Sequence, residues 1–121
     1  MPIPPRYESI VKNLAEASDK LEWRALIAKP DYSIFDANFG PASVRITGDL
    51  KSTFSATYTL SIANEQGVQI DEFSVDEGEP MSEALAWIHD NARRRALDVD
   101  ATIDALAAVL EKLNQTKKDV P

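Results

Sequence analysis

The chain contains no cysteine. Disulfides and thiolate metal sites are therefore excluded, and a reducing compartment suits it. No stretch approaches the roughly 18 to 20 apolar residues that a membrane span requires. There is no internal repeat and no low-complexity tract. Residues 52–92 contain neither Lys nor Arg, and no Gly or Pro stands between Met81 and Val120. The first of these two absences leaves a block of acid unneutralised. The second leaves a long C-terminal stretch free of helix breakers.

With 121 residues, 44% apolar and 27% charged, the composition is that of one ordinary globular domain with a single core. Net charge is −7. Residues 1–51 balance seven basic against seven acidic side chains, and residues 93–121 hold six against five. The whole excess lies between them, in Glu65, Asp71, Glu72, Asp76, Glu77, Glu79, Glu83 and Asp90. Such a block repels phosphate and attracts basic surfaces. Direct nucleic-acid binding is disfavoured, because counterion release needs a cationic stripe.

Thr53 to Ile62 alternates strictly: Phe54, Ala56, Tyr58, Leu60 and Ile62 are apolar, and Thr53, Ser55, Thr57, Thr59 and Ser61 are polar. That period of two predicts a half-buried strand. Tyr32 to Phe39 predicts a strand with Phe35, Ala37 and Phe39 in phase. Ala42 to Thr47 predicts another, with Val44 and Ile46 inward, before a turn at Gly48-Asp49-Leu50-Lys51. Asn64-Glu65-Gln66-Gly67 supplies a hairpin loop with Gly67 suited to positive φ. Val68 to Val75 changes phase, so a bulge near Asp71-Glu72 is expected to bring Val68, Ile70, Phe73 and Val75 to the core.

Residues 1–6, rich in proline, read as an extended lead-in, residues 7–113 as a single domain and residues 114–121 as a frayed polar tail. A helix is expected to start near Tyr7 to Ser9, with Ile10, Leu14, Ala17 and Leu21 on one face. Ser18-Asp19 weakens it, and Asp19 with Glu22 can cap a second helix ending at Lys29-Pro30. After the loop Asp76 to Pro80, Leu85, Ile88, Ala92, Ala96, Val99, Ile103, Leu106, Leu110 and Leu113 keep helical phase in steps of three and four. The four-residue spacings Asp90–Arg94 and Arg94–Asp98 favour one continuous or bent helix. A cap at Asp98 or Asp100 would break it in two. The predicted fold is α+β: an N-terminal helix or two short ones, an antiparallel meander of about four strands, and a long C-terminal helix covering one sheet face.

Chemistry-bearing residues are few. His89 is the only histidine; on a helix Asp90 points away from it and Arg93 lies one turn on, which does not make a triad. Asp76-Glu77-Gly78-Glu79 lacks calcium-loop spacing. Arg93-Arg94-Arg95 fan round a helix and pair within it, with Arg95 near the apolar stripe. No catalytic residue, metal ligand or cofactor is expected. A surface without Lys or Glu on the Thr57 and Thr59 face is either the plain outside of an interior strand or a patch for another chain.

The expected function is that of a small acidic, non-enzymatic protein-binding protein: an inhibitor, an antitoxin-like or immunity-like factor, or an accessory subunit. A basic partner surface would meet Asp71, Glu72, Asp76, Glu77, Glu79, Glu83 and Asp90, with Thr57 and Thr59. A sharper version is a viral, anti-defence inhibitor of a nucleic-acid-handling host complex, its carboxylates imitating phosphates. Val99, Ile103, Leu106, Leu110 and Leu113 are the candidate interface of a homo-oligomer. The alternative is a small-molecule sensor or carrier binding between sheet and helix near Trp87, Tyr58 or Phe73. MPIPPRYES carries no hydrophobic signal region, so a cytoplasmic, unprocessed chain is expected.

Overall fold

The computed structural model describes residues 4–50 and 55–118. Its elements in order are α1 (Pro5–Ala17), β1 (Arg24–Ala28), β2 (Tyr32–Asn38), β3 (Ala42–Asp49), β4 (Thr57–Asn64), β5 (Gln69–Asp76), α2 (Ser82–Ala96) and α3 (Val99–Lys118). The α+β class is as expected. The sheet has five strands in the order β1-β2-β3-β4-β5, every neighbouring pair antiparallel.

The additional strand is β1, in a segment expected to be helical. Its apolar run Ala25-Leu26-Ile27-Ala28 is too short to separate helix from strand by periodicity. Pairing with β2 decides it, with a register shift between Ala25 and Ile27. β3 continues through Gly48 and Asp49, where a turn was expected, because both pair with β2 and β4. Thr53 and Phe54, the expected start of the alternating strand, lie outside the described residues; β4 itself begins at Thr57.

Register puts Ser33, Phe35 and Ala37 beside Gly48, Ile46 and Val44, then Tyr58, Leu60 and Ile62, then Val75 and Phe73. This face is the core face. Val11 and Leu14 from α1, Trp23 from the α1–β1 link, and Leu85, Ile88 and Ala92 from α2 complete the buried cluster. Each larger aliphatic side chain among them contributes roughly 1.5–3 kcal/mol on burial. Ile10, expected on the inner face of α1, is 45% exposed; Val11 is the buried neighbour. α1 ends just before Ser18, the expected weak point. The Ser18 hydroxyl donates to the Ala15 carbonyl (2.7 Å), and accepts from Asn91 Nδ2 of α2 (2.9 Å). Trp23 Nε1 donates to the Ser18 carbonyl (2.8 Å), so one residue fastens α1, α2 and the approach to β1.

Two further expectations are corrected. The irregularity in β5 falls at Ile70, since Ile62 faces Asp71 and Ala63 faces Gln69. That placement gives Asp71 the core-side register and leaves Val68 and Ile70 more than half exposed. The C-terminal apolar run also divides into two helices. The Leu97 N–H bonds the Arg93 carbonyl (3.0 Å), and Asp98 takes a left-handed φ of 52°. Asp tolerates that conformation better than most non-glycine residues. Arg94 bridges to Asp90 and to Asp100, and these pairs span the bend without straightening it.

Candidate functional site

His89 lies under α2 against the sheet. Its Nε2 is 2.7 Å from the Ser33 hydroxyl, a distance that a nucleophile and its base would also adopt. Both residues are buried, and Phe35 and Tyr58 enclose the imidazole with ring centroids at 5.5 and 5.7 Å. Burial lowers the pKa of His89; Asp90 works the other way and Arg93 adds to the lowering. The ring also rests on the backbone of Gly48: a Cβ there would stand 2.5 Å from Nε2. The pair thus fills a polar spot in the core.

The carboxylates fall into three settings. Asp71, on the core-side register of β5, accepts the Tyr7 hydroxyl, and Tyr7 packs tilted against Phe73 at 4.8 Å. Glu72 and Asp76 lie on the outer side of β5 and accept hydroxyls from Ser61 (3.2 Å) and Thr57 (2.6 Å) of β4. Between them Thr59 and Ser74 share a hydrogen bond of 2.9 Å. The uncharged hydroxyl face of β4 is therefore the outside of an interior strand, its three hydroxyls turned to β5. The third setting is the β5–α2 turn. The Glu79 carboxylate accepts the Asp76 N–H (2.9 Å), and Glu77 accepts the Ala56 N–H at 3.4 Å. Glu83 is exposed in the first turn of α2.

Asp76, Glu77, Glu79 and Glu83 thus gather at one end of the sheet, around a hollow of about 660 Å³ lined by residues 77–84. Tyr58 marks the inner side of this end: burial raises its pKa first, then the charges of Glu77 and Asp90. Asp90 itself pairs with Arg94 at 3.1 Å. Asp71 stands apart, on the other face and nearer the opposite end of β5. Of the nine residues expected to meet a partner, the fold gathers five closely, with Thr57 joining the four acids.

Other candidates disperse. Phe73 is buried beneath Tyr7, Tyr58 lies against His89, and Trp87 is 57% exposed on α2. A second hollow, about 440 Å³, lies on the opposite, outer sheet face. Its charged row runs Arg24, Asp36, Arg45, and Arg24 grips Asp36 through two hydrogen bonds of 2.9 and 3.2 Å. Arg95 donates to the Leu21 carbonyl (3.3 Å). Among the described residues no group of three or more His, Asp or Glu is placed to hold a metal ion. Among them no helix is long and apolar enough to cross a membrane.

On α3, Val99 is partly buried, and residues 101–115 are exposed one after another. Ile103, Leu106, Val109, Leu110 and Leu113 are each 49–58% exposed, against 0–1% for Leu85, Ile88 and Leu60. The Ser33–His89 and Tyr7–Asp71 contacts were not legible beforehand. Each joins residues more than fifty positions apart, and only the parity of Asp71 after the bulge hints at the second. The chain matches no protein-family model, no curated protein and no solved structure at a significant level.

Proposed function

We propose that the protein works by contact, as a small acidic, non-enzymatic module that docks a basic surface of a partner protein in the cytoplasm. One observation supports this reading above the rest. Among the described residues, none of the carboxylates from Glu65 to Glu83 is in a salt bridge; the three bridges present use Asp36, Asp90 and Asp100. Unneutralised charge on a rigid edge speeds encounter with a cationic partner and rejects anionic ones. Hydrogen bonds from Thr57, Ala56 and the Asp76 N–H hold several of these carboxylates in place, so little side-chain freedom is lost on docking. Inhibitors, antitoxin-like or immunity-like factors and accessory subunits all act this way. A nucleic-acid-binding partner is the sharper version, with Asp76, Glu77, Glu79 and Glu83 occupying positions its phosphates would take.

The test is capture of a partner on immobilised protein at low ionic strength. A bound protein that elutes as salt rises toward about 1 M, where the screening length falls to about 3 Å, is the expected result. The combined variant Glu77→Lys, Glu79→Lys, Glu83→Lys should lose it. Retention at high salt, or capture unchanged by the triple variant, would refute the charge-led reading. A second reading, distinct from the carrier expected to bind between sheet and helix, is a carrier for a small polar ligand in the outer hollow beside Arg24, Asp36 and Arg45. It predicts a ligand-dependent rise in melting temperature that Arg45→Ala abolishes.

A further inference from the structure

We infer that α3 forms an antiparallel two-helix pair with α3 of a second copy of this chain. Within the chain α3 packs on α2, at the helix start, and no described residue covers residues 101–115. A helix of 20 residues draws most of its stability from packing an apolar face, which α3 does not do within the chain over most of its length. Yet Val99, Ile103, Leu106, Leu110 and Leu113 follow steps of four, three, four and three, the seven-residue repeat of a two-helix seam. The positions flanking this seam are Asp100, Thr102, Ala107, Val109 and Asn114, with Asp100 the single charge among them, so a second copy meets little like-charge repulsion there.

Charge selects the orientation. Asp98, Asp100 and Asp104 stand at the start of the segment, and Lys112, Lys117 and Lys118 at its end, with Glu111 the exception. Parallel copies would set like charge beside like. Antiparallel copies set acid beside base and also oppose their helix dipoles. One register satisfies both demands. With Ile103 level with Leu113 of the second copy, Leu106 meets Leu110, while Asp104 and Lys112 stand at the same height on the outer surface, where opposite charges attract across a distance without touching. The two-fold symmetry of the pair repeats each of these meetings. The globular bodies, each joined to the N-terminal end of its α3, then sit at opposite ends of a rod about 30 Å long. Half-exposed aliphatic side chains from both copies bring the buried area to the order of 1,000 Å², the lower limit for a specific interface. The pair should therefore exchange with monomer as the protein is diluted. A membrane surface is a poorer occupant, since the polar positions of α3 have no basic excess and the chain is acidic overall.

Sedimentation equilibrium of the full chain, from low to high micromolar concentration, should show a monomer–dimer equilibrium, with helical circular dichroism rising alongside the dimer. Leu106→Glu should weaken association by about 100-fold or more, because it sets a charge in the seam, and leave the folded body intact because Leu106 is exposed. Since the chain has no cysteine, introduced ones report cleanly. A mixture of Ile103→Cys and Leu113→Cys proteins should form an interchain disulfide readily, and either protein alone should not. A monomer at every concentration, or a dimer indifferent to Leu106→Glu, would overturn the pairing; a disulfide from Ile103→Cys alone would overturn the orientation. Partner capture through the acidic end is read separately: if it survives in a chain that never dimerises, only this inference fails.

Discussion

α2 and α3 are neighbours in sequence, share one apolar phase and have opposite fates. Leu85, Ile88 and Ala92 of α2 are fully buried against the sheet, whereas Ile103, Leu106 and Leu110 of α3 are about half exposed. The residue types and spacing are alike. The difference is that α1 and α2, which meet one another and the sheet, already fill its apolar face. Hydrophobic periodicity says that a face will be covered; the area available says by what. On α3 no described part of the chain supplies that cover.

The contrast is tested most severely by making the same truncation in both helices. Leu85→Ala should cost about 2–5 kcal/mol, read by denaturant unfolding with Trp23 as reporter. Leu110→Ala, measured on dilute monomer, should cost less than about 0.5 kcal/mol. Equal losses would mean that α3 is covered within the chain after all. Next in size is Gly48→Ala, where the added methyl would meet an imidazole held between Phe35 and Tyr58. Overpacking there should cost about 1–3 kcal/mol, and His89→Ala in the same chain should recover part of it. No comparable close approach is available on α3.

A third difference is pH. His89 titrates below its ordinary 6.5 because burial disfavours the charged ring. The folded chain thus resists a proton that the unfolded chain accepts. Stability should fall as pH drops below 6.5 and level off once below the folded-state value. His89→Gln should flatten that part of the profile, whereas Leu106→Glu in monomer should leave it in place. The smallest effect belongs to the joint itself. Asp98→Gly relieves the left-handed residue between α2 and α3 but frees the unfolded chain, so thermal unfolding should shift by less than about 1 kcal/mol.

Much of the sheet was legible in advance. The parity of Phe35 and Ala37, of Val44 and Ile46, and of Tyr58, Leu60 and Ile62 identified the core face, and burial matches it. β1 was not legible, because a five-residue edge strand with only four consecutive apolar residues has no periodicity of its own. The bulge was expected one residue late, and with it the exposure of Val68 and Ile70 was missed. The acidic block was visible as composition. That Asp76, Glu77, Glu79 and Glu83 gather while Asp71 turns to Tyr7 depends on register and on the packing of α1, which local sequence does not encode.

Side-chain type, period and count were enough to settle the class of the fold, the alternating strands, the lack of thiol chemistry and a charge excess confined to one block. Each of these is a local property. Only packing between distant segments brought Ser33 to His89, required Gly48 to stay bare beneath the imidazole, and left the second half of the C-terminal apolar run without a place on the sheet. Those outcomes depend on space for which remote parts of the chain compete, and α1 and α2 between them occupy all that the sheet offers.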